Sequence, residues 1–199
     1  MKNNSLAIML LALFTLGIFA FKTKKQQYIV DPSKSSLVWI GKKATGEHTG
    51  NIAIEKGAFQ FEDARLKSGS FDIDTRTITD NDITDKDNNA KLVGHLKSDD
   101  FFSAETYPRA SLVITNVTPA GGGNYTIKAN LTIKGITNEI GFPALVSLSG
   151  KQLNATAKIT IDRTKYNIKF RSKSFFENLG DKFIYDNFDL VVSLVATAQ

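Results

Sequence analysis

The chain has 199 residues, 42% hydrophobic and 23% charged, which fits one globular domain and excludes a disordered or fibrous chain. It contains no cysteine, so disulfides, thiol nucleophiles and thiolate metal sites are excluded. The net charge of +5 is scattered among acidic residues without a like-charged block, which argues against a nucleic-acid partner.

The N-terminus departs from the rest of the pattern. Lys2 precedes an apolar run from Leu6 to Ala20, followed by Lys22, Lys24 and Lys25. A charged start, an apolar stretch of this length and a small residue at its end read as a signal peptide over residues 1–20, cut after Ala20. The alternative is an uncleaved anchor, because Phe21 extends the run towards the roughly 18 residues that a span needs. Residues 21–199 are then one exported domain, periplasmic or secreted.

From there on the apolar residues repeat with period two. Leu37 to Ile40, Ile52 to Ile54, Ala58 to Phe61, Phe71 to Ile73 and Ala110 to Ile114 form the early segments. The later ones run through Tyr125–Ile133, Ile140–Leu148, Leu153–Ile161 and Phe188–Ala196. Successive side chains of a strand point to opposite faces, so each run has one apolar and one wet face. Turns are expected at Asp31-Pro32, Glu55-Lys56-Gly57, Lys67-Ser68-Gly69, Gly121 to Asn124 and Ser149-Gly150. Many short strands of this kind make a sandwich or a barrel, and periodicity leaves both open. One segment breaks the rhythm: Leu92 and Leu96 are one helical turn apart, and Phe101 and Phe102 follow before Pro108. A short helix carrying these residues across one end, stopped by Pro108, is expected.

Chemistry-bearing groups are sparse. His48 and His95 are the only histidines, and a haem or metal site would require them to converge with a further ligand. No Gly-x-Ser-x-Gly elbow is present. The acidic loop Asp80–Asn88 lacks the glycine and the acid spacing of a calcium-binding EF-hand, and reads as a solvated loop capping the helix. No catalytic residue, metal ligand or cofactor is assigned.

Four segments in order carry a family resemblance. Tyr28-Ile29-Val30-Asp31-Pro32 with Ser35-Ser36-Leu37-Val38-Trp39 resembles the opening strand of the YceI-like family. Gly94-His95-Leu96-Lys97-Ser98-Asp99-Asp100-Phe101-Phe102 with Tyr107-Pro108 is similar to its most recognisable segment. Leu131 to Thr137 and Ile161 to Tyr166 resemble two further hallmarks. The chain departs from the family pattern at Ser35, where a histidine is common, at Val93-Gly94, where Arg-Asp is common, and at Asn167, where glycine is usual.

The resemblance implies an all-β fold: an extended, eight-stranded, antiparallel, lipocalin-like barrel with a short helix at one end. It also implies a non-enzymatic protein that binds a polyisoprenoid, quinone-like or fatty-acid-like lipid in an apolar tunnel. The apolar-phase residues Phe59, Phe71, Ile73, Leu112, Ile114, Ile127, Leu131, Phe142, Ile159 and Leu190 are the expected lining. Leu92, Leu96, Phe101 and Phe102 on the helix would gate one mouth, where His95 could donate to a headgroup, a structural role for it being favoured. Membrane contact would be transient at most, and a homodimer stays open. The rival readings are a haem- or metal-dependent redox protein and an interaction module with a filled core.

Overall fold

The computed structural model describes residues 23–199, so the segment expected to be a signal peptide or anchor lies outside the described residues. The chain runs through β1 (Lys25–Val30), β2 (Ser36–Lys43), β3 (Gly46–Asn51), β4 (Ala53–Glu62) and β5 (Arg65–Asp74). Helix α1 (Lys86–Lys97) follows, then β6 (Arg109–Gly121), β7 (Asn124–Ile133), β8 (Ile136–Ser149), β9 (Gln152–Asp162) and β10 (Ile184–Ala198).

The strands form one antiparallel sheet in the order β1-β4-β5-β6-β7-β8-β9-β10-β2-β3, and β1 also pairs with β10. β10 pairs with β1 through Ala196–Ala198 and with β2 through Ile184–Ser193. β1 and β2 are therefore two halves of one barrel strand, and β3 and β4, parted only at Ile52, are halves of the next. The result is a closed eight-stranded barrel, which removes the exposed edges of an open sheet. The break between β1 and β2 is a built corner. Asp31 accepts from the Ser33 amide, and the Ser35 hydroxyl donates to Asp31 O (2.7 Å) and accepts from the Val195 amide (3.0 Å).

Two expected turns are instead bulges inside strands. Glu55-Lys56-Gly57 lies within β4, where the pairing slips between Ile54 and Lys56. Lys67-Ser68-Gly69 lies within β5, where Phe61 faces Leu66 and Gln60 faces Ser68. An extra residue flips the inward phase, so Ile54 is followed inward by Gly57 and Phe59 rather than by Lys56. A local break of period two thus imitates a strand boundary. The true β4–β5 turn is at Asp63-Ala64, both at positive φ (48° and 59°), the geometry of a tight hairpin made here without glycine.

Helix α1 begins at Asp85, whose carboxylate accepts from the Asn88 amide at 2.9 Å. It ends at Lys97, well before Pro108, because the Ser98 amide and hydroxyl turn back to the His95 carbonyl. Phe101 and Phe102 are therefore not helical, and sit in the turns that follow. They still face the barrel, because the amides of Phe102 and Ala104 bond back to Leu96 O and Lys97 O and fold the segment inward.

The core is the barrel interior. It is filled at the β6–β7 hairpin end, where Tyr28, Phe61, Leu153 and Ala196 are buried and the Tyr28 and Phe61 rings meet edge-on at 5.2 Å. It is looser towards α1.

Candidate functional site

Inward side chains around the middle of the barrel stay only partly buried, among them Phe71, Ile73, Phe142 and Leu190. What they border is space. Two cavities, of about 120 Å³ and about 100 Å³, lie along the barrel. Each is far larger than the roughly 10–15 Å³ that one water needs. Their open walls are entirely apolar, and they share Leu37, Ile73, Leu131, Ile161 and Leu190, so they lie end to end inside the barrel with these side chains between them. A dry, apolar space of this kind is not a place for water, which needs polar partners.

Most of the residues expected to line a tunnel converge on this space. Phe59, Phe71, Leu112, Ile114, Ile127, Phe142 and Ile159 border the deeper cavity. Ile73, Leu131 and Leu190 border both, and Leu96, Phe101 and Phe102 border the cavity beneath α1. Leu92 and His95 border neither. Leu92 packs on the core from outside the lumen. His95 stands between the rings of Phe101 and Phe170, edge-on at 4.9 and 4.6 Å, with Nε2 2.9 Å from Asp100 Oδ2. It braces the mouth from outside rather than reaching into the lumen.

His48 is on β3 and bonds Asp82 through Nδ1 at 2.8 Å. The two histidines thus hold different carboxylates on different elements, and neither borders the lumen, so the pocket a haem would need from them is not formed.

Several lining residues escaped the reading of the sequence. Trp39 faces the cavity beneath α1, and its indole donates to Thr79 O at 2.9 Å. The phase of β2, in which Leu37, Trp39 and Gly41 alternate, carried that signal. Ile78 and Ile168 come from irregular segments with no periodicity, and Ile184 keeps the inward phase of Phe188 and Leu190 but is cut off from them by the polar Asp186 and an irregular pairing. Arg163 is the one buried cation at this mouth among the described residues, 4% exposed. Its guanidinium donates to the carbonyls of Tyr185, Ile168 and Ile184 and reaches Asp186 at 3.4 Å. Burial draws its pKa down against the opposing pull of Asp186 and Asp162. With its donors spent on backbone, Arg163 ties the 163–185 segment to the rim.

That segment forms the outer lip of the mouth. Phe175, Phe176 and Tyr185 are exposed there, and Lys169 and Lys173 stand over the rings of Phe175 and Phe183.

A family model described as YceI-like domain matches residues 28–196. A UPF0312 protein of Vibrio campbellii is 30% identical over 145 residues, covering 67% of this chain and 72% of that protein. One of Vibrio cholerae is 27% identical over 148 residues, covering 70% and 71%. One of Shewanella denitrificans is 31% identical over 88 residues, and the chain spans 44% of its length and the same share of its own. Among solved structures, Burkholderia cenocepacia BcnA superposes with a TM-score of 0.66 at 25% identity, covering 84% of this chain and 99% of that one. A polyisoprenoid binding domain from Saccharophagus degradans has a TM-score of 0.64 at 16% identity, covering 86% and 98%.

Proposed function

Since the chain belongs to the YceI-like domain family, we propose that it is a binding protein that takes the apolar tail of an amphiphilic lipid into its barrel. The observation that carries this reading is the lumen itself: two adjoining cavities whose open walls are apolar throughout. Such a wall recognises a hydrocarbon chain by burial and offers no polar partner to a sugar, nucleotide or amino acid. The name of the Saccharophagus degradans domain, which shares this fold, adds a polyisoprenoid as the first class to try. Quinone-like tails and fatty chains satisfy the same chemistry.

Each methylene moved from water into such a space contributes about 0.8 kcal/mol, before the cost of immobilising the chain. Affinity therefore grows with tail length until the lumen is full. The headgroup stays at the α1 mouth, where the lip of exposed aromatic and basic side chains suits brief contact with an anionic bilayer during loading. A carrier or sequestering role in the periplasm, after removal of residues 1–20, completes the proposal.

Trp39, the only tryptophan, faces the cavity beneath α1 and gives a direct readout. Titration with prenyl alcohols of increasing length is expected to change its emission saturably, with affinity rising by chain length. A flat response to every chain length, with no rise in melting temperature, contradicts the proposal.

A further inference from the structure

Beside the mouth, the barrel wall is completed by a loop rather than by a strand. β3 runs past the end of β5, and the segment after Ile78 bonds along it: the Thr79 amide to Asn51 O and the Asn81 amide to Thr49 O, both 2.9 Å. This close approach requires Gly50, because a Cβ there would fall on the Thr79 carbonyl. The contact sets two carboxylates against one imidazole. His48, Asp80 and Asp82 each present a ligand atom within 4.8 Å of the others.

The hydrogen bonds within this cluster are incomplete. Asp82 accepts the Thr49 amide on Oδ1 (2.8 Å) and meets His48 Nδ1 with Oδ2 (2.8 Å). Asp80 accepts the Ile83 amide (2.9 Å) and the Asn89 side chain (3.1 Å) on Oδ1. Its other oxygen, Oδ2, is buried with no partner, in a residue only 8% exposed. A buried carboxylate oxygen left bare costs more than an ordinary missing hydrogen bond, and a second carboxylate beside it adds repulsion.

We propose that His48, Asp80 and Asp82 bind a divalent cation, with zinc the ion their donor set suits best. One imidazole nitrogen and two carboxylate oxygens match a borderline ion, and three protein ligands leave a position for water. The cation takes the free Asp80 oxygen and replaces the proton shared by His48 and Asp82. Asp82 is exposed, so the site opens to solvent rather than to the lumen. Asp80 also accepts from Asn89 near the start of α1, through its carbonyl and its carboxylate, so the ion ties β3, the loop and the helix over the mouth into one unit. The site stands apart from the lipid reading and does not depend on it.

The test is calorimetric titration of zinc ion into tag-free, chelator-treated protein, with melting curves, for wild type, His48→Ala and Asp80→Asn. Calcium and magnesium serve as comparison ions. Wild type is expected to take up one equivalent of zinc and to melt higher with it. Both variants are expected to bind at least tenfold more weakly, and Asp80→Asn, which keeps the shape of the carboxylate, to remain folded. Zinc uptake unchanged in both variants overturns the proposal. So does no uptake by wild type, or saturation by calcium or magnesium where zinc fails. No uptake together with a higher melting temperature for metal-free Asp80→Asn would mark the cluster as two carboxyls sharing a proton.

Discussion

Asn167 shows how a left-handed corner is made without glycine. It follows Tyr166 and sits at φ 58° and ψ 29°, in the left-handed region. Asparagine is among the few non-glycine residues that tolerate that region, so the corner forms at little strain. Asn167→Gly is expected to leave stability within a few tenths of a kcal/mol, whereas Asn167→Val costs roughly 1–2 kcal/mol, read by chemical denaturation. Gly94 is the converse. It lies inside α1 with open space where a Cβ would be, so nothing requires a glycine there. Gly94→Ala is expected to raise stability by about 0.5–1 kcal/mol in the same measurement. Ile73 borders both cavities and is only partly buried. Ile73→Trp adds bulk into space rather than into packed side chains, so a folded protein with at least tenfold weaker lipid binding is expected. Undiminished binding by that variant would place the ligand outside the lumen.

At the scale of elements, the outer face of the barrel is held by short polar pairs that set its acid limit. The Arg109 hydrogen bond to Glu55, on the bulge of β4, holds that carboxyl below its usual value. Arg76 does the same for Asp74 at the end of β5, and the Thr160 hydroxyl for Asp189 on β10, with Lys158 helping. A carboxyl whose pKa is lower folded than unfolded stabilises the fold above its unfolded value, and that contribution disappears as pH falls through the folded value. The melting temperature is therefore expected to hold through neutral pH and to drop below roughly pH 4. A melting temperature that held steady to pH 2 would show these pairs to be inconsequential.

What the sequence revealed at this scale was uneven for a physical reason. The long alternations over Tyr125–Ile133 and Leu153–Ile161 are regular, and they became β7 and β9 with their apolar faces inward. β4 and β5 look like fragments in the sequence, because their bulges at Glu55 and Lys67 break the alternation without ending the strand. The inward set of lumen residues was readable wherever period two held. Ile78, Ile168 and the cluster of His48 with Asp80 were not, since irregular segments and loop-to-strand contacts have no period to read.

At the scale of the whole molecule, alternation requires an apolar interior but does not say whether it is solid. The barrel is both: packed by Tyr28, Phe61 and Leu153 at the hairpin end, and open from the middle to α1. One closed end and one covered mouth orient any chain that enters, tail inward and headgroup towards α1. The measurement closest to this claim is organic extraction and mass spectrometry of the protein purified from the cells that naturally make it. A near-stoichiometric lipid with one long apolar tail is expected, displaced in the Ile73→Trp variant. Protein that carries no lipid as purified, and takes up none when offered isoprenoid or fatty chains, would contradict it.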